Sequence, residues 1–221
     1  MLAKLIGTSI GEGLIICDCL ASTAAVPGDV CEFGVAQGAT SALIANEIGG
    51  QSRLLWLYDS FEGLPAPTAE DVLIDDIFGL GSIEKYAGTM KCGEIEVISR
   101  LNDISVDPAQ FRIVKGFFTP SADGPKTVSF AYIDFDFYKP IMDALRFISA
   151  RMPVGGKVIV DDYGFFSAGA KTAVDEFLQE EGAAWQLSLP PDFCGKFCIL
   201  EKTATHPSSA PQSHPNNEIG R

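Results

Sequence analysis

Short apolar runs alternate along the chain with longer segments whose apolar residues recur at helical spacing. Seven short runs predict strands, at residues 29–34, 53–59, 111–116, 128–136, 157–162, 185–190 and 197–202. Five longer segments predict helices, at residues 9–25, 38–48, 92–103, 139–152 and 168–181. Strands that alternate with helices indicate a mostly parallel sheet with helices on both faces. We therefore predict an α/β fold built on one sheet.

The last two predicted strands are too close together for a crossover helix. Only "PDFCGK", residues 191–196, lies between them, so we expect an antiparallel C-terminal hairpin. A Rossmann-like sheet of seven strands that ends in this way is the architecture of class I methyltransferases, although such an analogy of fold does not assign a function. The length of 221 residues suits a single domain, which we place at residues 1–202.

Two segments fit no core element of this fold. Residues 64–91 contain prolines, glycines and a run of acids, which is typical of a lid or a binding loop. A solvated surface excursion is the alternative interpretation of this insertion. Residues 203–221 are polar and rich in proline, and we expect this tail to be disordered.

The net charge limits the classes of binding partner that we expect, and the cysteines indicate the cellular compartment. A net charge of −13 argues against the basic surface that nucleic acid or an anionic membrane requires. The apolar stretch at residues 14–26 is interrupted by Asp18 and is too short to span a bilayer, so we predict an amphipathic helix rather than a signal peptide. The six cysteines form no C-x-x-C pair and lie mostly in apolar runs. We therefore expect a cytoplasmic protein without a zinc site.

The stretch "GDVCEFGVAQGATS", residues 28–41, joins the first predicted strand to a helix. It lacks the middle glycine of the dinucleotide fingerprint, and Glu32 would repel a pyrophosphate. A carboxylate there suits a cationic ligand that bears an amine, such as S-adenosylmethionine. A strand–helix turn that needs glycine for its backbone is the alternative. The candidate cofactor-binding residues of this loop are Glu32, Phe33, Gly34, Val35, Ala36 and Gly38.

A second candidate motif, "LYDSFEGLP", ends the second predicted strand. Asp59 would stand at the carboxyl end of that strand, where an acid can accept hydrogen bonds from both ribose hydroxyls. Ser60 and Phe61 follow as further cofactor-binding candidates, and Phe61 could equally belong to the core. Both motifs fall on the edge of the sheet at which open α/β folds bind ligands.

Four aspartates lie at the ends of two strands that are neighbours in the predicted sheet. Asp134 and Asp136 lie in "FAYIDFDFYKP", and Asp161 and Asp162 end "KVIVDDYG". Buried carboxylates are costly unless a partner takes their charge, and like charges so close cannot remain unpaired. Oxygen ligands without a nearby histidine or thiolate favour Mg²⁺ over zinc. The alternative is that these aspartates cap the helices that follow them.

Together these motifs, with "KGFF" at residues 115–118, resemble the macrocin O-methyltransferase (TylF-type) family from about residue 25 to residue 202. Members of that family depend on Mg²⁺ and S-adenosylmethionine, and several methylate sugar hydroxyls of antibiotics. The resemblance implies that Asp134, Asp161 and Asp162 ligate the metal and that Asp136 is the general base. One branch of the family uses a lid histidine as base, but this chain has no histidine before residue 206. The chain also departs from relatives after "KGFF", where it reads "TPSADGP".

The resemblance implies an O-methyltransferase that acts on a hydroxyl of a small molecule, most naturally on a sugar of a glycosylated natural product. A catechol or phenol acceptor is an alternative, although the catechol type has a lysine where this chain has Phe137. A non-catalytic S-adenosylmethionine-binding relative is a second alternative. The third is an NAD-type oxidoreductase, against which the glycine spacing argues. Relatives further suggest a homo-oligomer, a dimer or larger.

Overall fold

A computed structural model describes residues 5–204 of the protein. Seven strands form one sheet in the order β3-β2-β1-β4-β5-β7-β6. The strands are β1 (Asp29–Phe33), β2 (Leu55–Asp59), β3 (Phe111–Lys115), β4 (Val128–Ile133), β5 (Lys157–Val160), β6 (Trp185–Ser188) and β7 (Cys198–Lys202). All neighbours pair in parallel except β7, which is antiparallel to both β5 and β6. The predicted mixed sheet and its terminal hairpin are therefore confirmed.

Within residues 5–204, five α-helices cover the two faces of this sheet. They are α1 (Ile10–Ser22), α2 (Ala39–Glu47), α3 (Glu94–Asp103), α4 (Tyr138–Ser149) and α5 (Ala168–Glu181). One buried apolar cluster joins one face of the sheet to α4 and α5, and a second joins the other face to α1, α2 and α3. The helices occupy the segments predicted for them, which confirms the layered α/β architecture.

Several strands are shorter than predicted, for identifiable backbone reasons. The β4 strand ends at Ile133 rather than at residue 136, and Asp136 has a φ of 61°. The β5 strand likewise ends before Asp162, whose φ is 57°. A residue with a left-handed backbone cannot continue a strand, so the chain turns at Asp136 after β4 and at Asp162 after β5. The β2 strand begins at Leu55, and the amide of Leu54 before it donates to Asp29 Oδ1 at 3.0 Å rather than to a neighbouring strand.

The register of the central strands brings their carboxyl ends to one level. Phe33 of β1 lies opposite Ile133 of β4, which in turn lies opposite Val160 of β5. The segments that come next in the chain are the glycine loop and the two pairs of aspartates. They therefore leave the sheet side by side, as expected for neighbouring parallel strands.

The segment 64–91 packs onto the body of the fold. Its residues Leu64, Ile83 and Tyr86 form a buried cluster with Phe137 and Phe166, which lie outside the segment. Its backbone is also bonded to the chain just before α5, since the amide of residue 74 donates to the carbonyl of residue 166 at 2.8 Å. The segment is thus a packed wall beside the ends of β4 and β5, and its role as a lid remains a prediction.

Two sequence-based expectations concern a membrane-spanning helix and the C-terminal tail. None of the helices within residues 5–204 is long and apolar enough to cross a bilayer. The tail predicted to be disordered, residues 203–221, lies outside the described residues except for Thr203 and Ala204.

Candidate active site

A cavity of about 910 Å³ opens at the carboxyl ends of β1, β2, β4 and β5. The residues predicted from sequence that line it are Gly34, Ala36, Asp59, Ser60, Asp134, Asp136, Asp161 and Asp162. Both candidate cofactor motifs and all four aspartates therefore meet at one cavity. The remaining predicted residues, which the cavity lining does not include, are Glu32, Phe33, Val35, Gly38 and Phe61.

The glycines of the first loop are required by close approach and by backbone conformation. Gly34 has a φ of 85°, and a Cβ there would lie 1.9 Å from the carbonyl oxygen of Asp134. Gly38 has a φ of 74° and precedes α2. A side chain at Gly34 would force β1 away from β4 and from the first aspartate. This glycine thus joins the loop to the acid site directly.

Asp59 shapes the glycine loop. Its Oδ2 accepts hydrogen bonds from the amides of Val35 at 2.8 Å and Ala36 at 3.0 Å, and its Oδ1 accepts from the amide of Phe61 at 2.6 Å. The side chain of Phe61 is buried among apolar neighbours on one face of the sheet. Asp59 therefore links the two cofactor motifs physically, and its predicted contact with a ribose remains a prediction.

Glu32 lies fully buried beneath this loop. Neither of its carboxyl oxygens has a hydrogen-bond partner within the described part of the chain. Burial raises the pKa of Glu32 to about 8. The nearby Ser41 hydroxyl opposes this increase in pKa, and the charge of Asp59 adds to it. No hydrogen bond of normal geometry joins Glu32 and Ser41. A buried carboxyl without a partner fits the predicted attraction for a cationic ligand above it.

Three aspartates converge on the floor of the cavity. One carboxylate oxygen from each of Asp134, Asp136 and Asp162 lies within 4.8 Å of the other two. Burial, followed by the charge of Asp161, raises the pKa of Asp136 to about 7 and that of the other two well above the usual range. A cluster of hard oxygen donors whose charges repel one another fits a divalent cation such as Mg²⁺.

Asp161 borders the same cavity but is held by a separate network. Its Oδ2 accepts a hydrogen bond from the Tyr132 hydroxyl at 3.1 Å, and its Oδ1 accepts from the amide of Asp162 at 2.9 Å. The Tyr132 hydroxyl is also 3.1 Å from Glu12 Oε1. A hydroxyl has one proton and cannot donate to both carboxyls. Burial, followed by the charge of Asp161, raises the pKa of Glu12 to about 9, so Glu12 carries the proton that completes the network.

Sequence reasoning missed Glu12 and Tyr132. By sequence, Glu12 is only a charge beside the N-terminal apolar stretch, and Tyr132 is one of the aromatic residues in a buried strand. Their contact joins α1 to β4 across the fold. A buried acid on a helix that is otherwise largely apolar was the available signal, because such an acid requires a partner.

The outer wall of the cavity is largely apolar. It includes Phe78 and Phe117, which are 55% and 52% exposed, together with Ile77 and Phe165. Lys139 also lines the cavity and forms an ion pair with Asp143. The cavity thus combines an acidic floor with an apolar rim, an arrangement that can hold a hydroxyl-bearing group near the acids while an apolar body rests against the rim.

The sheet order, the antiparallel last strand and a cavity at the carboxyl ends of the central strands define the class I methyltransferase fold. The model of one family, macrocin-O-methyltransferase (TylF), matches residues 11–189. The chain belongs to that family, which confirms the resemblance inferred from its motifs.

The chain is similar in sequence to two curated relatives and in fold to one solved structure. It is 32% identical over 143 residues to the 8-demethyl-8-(2,3-dimethoxy-alpha-L-rhamnosyl)-tetracenomycin-C 4'-O-methyltransferase of Streptomyces olivaceus, covering 62% of this chain and 54% of the relative. It is 28% identical over 178 residues to the demethyldecarbamoylnovobiocin O-methyltransferase of Streptomyces niveus, covering 73% and 66%. The structure of the O-methyltransferase NovP superposes with a TM-score of 0.73 at 24% identity, covering 88% of this chain and 81% of that one. The chain thus matches between about half and two thirds of the length of these curated relatives.

Proposed function

We propose that this chain is an S-adenosylmethionine-dependent O-methyltransferase that acts on a sugar hydroxyl of a glycosylated natural product. The observation that carries the proposal is the convergence of Asp134, Asp136 and Asp162 within 4.8 Å beside the glycine loop. Membership of the macrocin-O-methyltransferase family supports the reaction type. A relative named for methylating a rhamnosyl-tetracenomycin supports the acceptor class.

The donor set at the cavity floor fits Mg²⁺. Asp134, Asp161 and Asp162 would hold the ion, which supplies a positive charge that lowers the pKa of a bound hydroxyl. Asp134 and Asp162 already present oxygens to a common point, while Asp161 lies next to them with its carboxylate held by Tyr132. The contacts thus support Asp134 and Asp162 as ligands directly, whereas Asp161 would have to turn from Tyr132 to join them.

Asp136 is the proposed general base. Its carboxyl lines the cavity and lies within 4.8 Å of the Asp134 and Asp162 oxygens, so it can take a proton from a hydroxyl placed beside them. An ammonium group of the cofactor bound above the loop would favour the ionised form of Glu32, and Asp59 would hold the loop amides in place. These residues thus have separate proposed roles, which are binding the cofactor, orienting the loop and accepting the proton.

The residues that line the cavity support the proposed glycoside acceptor. The exposed rings of Phe78 and Phe117 would support an apolar aglycone, while the acids below would face its sugar hydroxyls. Phe137, which stands where the catechol type has a lysine, is buried against Phe166 and does not line the cavity. The side chain at that position therefore cannot serve a phenolic acceptor as a base.

Transfer of a labelled methyl group to matched acceptors tests this proposal. We would compare a rhamnosylated aromatic polyketide, its aglycone without the sugar, and a simple catechol, with labelled S-adenosylmethionine and Mg²⁺. The expected product is labelled glycoside, with no label in the aglycone or the catechol. Label in the catechol alone would overturn the acceptor class, and failure to bind S-adenosylhomocysteine would overturn the reaction type.

A further inference from the structure

Asp71, in the segment 64–91, is a buried carboxylate with an unusually complete set of partners. The residue is 3% exposed. Its Oδ1 accepts hydrogen bonds from the amide of Tyr138 at 2.8 Å and the hydroxyl of Ser167 at 3.1 Å. Its Oδ2 accepts from the amide of Thr68 at 2.8 Å and the Thr68 hydroxyl at 3.0 Å. One carboxylate therefore joins three separate parts of the chain.

Two of those parts lead directly from the acid site. Tyr138 is the first residue of α4 and follows the turn that carries Asp134 and Asp136. Ser167 is the N-cap of α5 and comes after the turn that begins at the second acid pair. Its hydroxyl donates to Asp71 and also accepts from the amide two residues further on, at 2.9 Å. The negative charge is well placed, because helix N-termini carry partial positive charge.

A glycine at the start of α5 makes this approach possible. A Cβ at Gly169 would lie 1.8 Å from Asp71 Oδ1 and 2.7 Å from the amide nitrogen of Tyr138. Any side chain there would displace the carboxylate from both helices. The close contact is thus independent support for a built junction at Asp71, beyond its own hydrogen bonds.

We propose that Asp71 is a positioning residue that fixes the two acid-bearing turns relative to each other and thereby sets the affinity of the site for Mg²⁺. It touches neither cofactor nor acceptor and acts through Tyr138 and Ser167. This role rests on the proposed function, since it presumes a metal held by those turns. It also gives the segment 64–91 a role beyond lining the cavity, because Asp71 joins that segment to the two turns that carry the acids.

The variant Asp71→Asn tests the proposal with little change in shape. The asparagine side chain has one oxygen and one NH₂ group. In Asp71→Asn the NH₂ group must therefore face the backbone N–H of either Tyr138 or Thr68, and neither N–H group can accept a hydrogen bond. The matched control is Asp76→Asn. Asp76 lies in the same segment, and the amides that it accepts from, those of Leu80 and Gly81, belong to that segment rather than to α4 or α5.

Mg²⁺ binding to the full chain saturated with S-adenosylhomocysteine is measured by calorimetry. We expect Asp71→Asn to weaken Mg²⁺ affinity about tenfold, as removal of a residue that orients metal ligands typically does. The affinity for S-adenosylhomocysteine should stay unchanged, and Asp76→Asn should bind Mg²⁺ like the wild type. The variant Gly169→Ala keeps the Asp71 residue but displaces its carboxylate, because the new Cβ would occupy the same space. This variant should reproduce the loss of Mg²⁺ affinity.

Hydrogen exchange of the peptides 134–140 and 161–169 gives a second readout that needs no metal. Exchange should accelerate in Asp71→Asn and Gly169→Ala but not in Asp76→Asn. A folded Asp71→Asn protein with wild-type Mg²⁺ affinity and wild-type exchange would overturn the positioning role while leaving the proposed function intact. A wild-type protein that binds no Mg²⁺ would instead overturn the proposed metal dependence, and unchanged exchange would then decide against the role of Asp71.

Discussion

A carboxylate oxygen of Asp136 lies within 4.8 Å of one from Asp162, although the two residues follow different strands. Both residues have left-handed backbones, which turn the chain out of β4 and β5 and direct the two side chains into one cavity. Left-handed conformations are uncommon outside glycine and are easiest for aspartate and asparagine. The arrangement supports two different proposed roles for neighbouring carboxyls, since one would hold a metal while the other accepts a proton.

The first prediction concerns the proposed base. Asp136→Asn keeps the size of the side chain but removes its ability to accept a proton, so turnover should fall at least about 100-fold. Affinity for S-adenosylhomocysteine should stay at the wild-type value, since Asp136 is not part of the glycine loop. Single-turnover methyl transfer and calorimetry measure the two quantities. Wild-type turnover in this variant would remove Asp136 from the mechanism.

The second prediction concerns a proposed metal ligand. Asp134→Ala removes one of the converging oxygens, so added Mg²⁺ should no longer stimulate methyl transfer. The measurement is residual activity with and without Mg²⁺ after treatment with EDTA. If the variant is still inhibited by EDTA and rescued by Mg²⁺, Asp134 is not a ligand.

The third prediction concerns the stability of the protein without cofactor as the pH rises. The pKa of Glu32 is about 8 in the folded chain, against a usual value of 4.5. The folded state therefore keeps a proton that the unfolded state releases, and stability is lost as the pH rises from 4.5 towards 8. Glu32→Gln has no such proton. Relative to the wild type, it should gain roughly 3 kcal/mol of unfolding free energy between about pH 6 and about pH 9.

Urea denaturation of both proteins at the two pH values measures this change. The comparison isolates Glu32, because every other titrating group is common to both proteins. An equal difference in stability at both pH values would show that Glu32 is already ionised in the folded protein at the lower pH.

The fourth prediction concerns the contact between the glycine loop and the acid site. Gly34 and Gly50 both have positive φ, but a Cβ at Gly34 would meet the Asp134 carbonyl at 1.9 Å, whereas one at Gly50 would meet nothing within 4 Å. Gly50→Ala should cost about 1 kcal/mol from backbone strain alone. Gly34→Ala should cost roughly 3 kcal/mol more and abolish binding of S-adenosylhomocysteine. Thermal denaturation and calorimetry of the two variants make the comparison, and equal costs would refute the steric argument.

The fold was predictable because the strands are compact apolar runs and most crossovers contain a segment with helical spacing, although residues 116–127, between β3 and β4, contain no helix. The ends of the strands were less predictable. Residues 134–136 read as a continuation of β4 by composition, but the left-handed turn at Asp136 ends the strand at Ile133. Such a turn depends on the loop geometry and on the helix that follows, and the enrichment of aspartate in left-handed conformations is too small to reveal it from the sequence.

The acid site was predictable as a group of residues but not in its internal arrangement. Adjacent parallel strands had to bring the aspartates together. That the oxygens of Asp136 and Asp162 would meet, while Asp161 turned to Tyr132, depends on backbone angles that sequence spacing does not specify. The junction at Asp71 was equally hidden, because its partners on α4 and α5 are distant in the chain and each is an ordinary helix-start residue by sequence.

The most direct test of the central claim is the Mg²⁺ dependence of methyl transfer by the wild-type protein to a glycoside acceptor. The protein is treated with EDTA, dialysed and assayed with labelled S-adenosylmethionine before and after Mg²⁺ is added back, while binding of S-adenosylhomocysteine is followed in parallel. The account predicts that transfer is lost in EDTA and fully restored by Mg²⁺, with cofactor binding unchanged throughout. Undiminished transfer in the metal-free protein would contradict it.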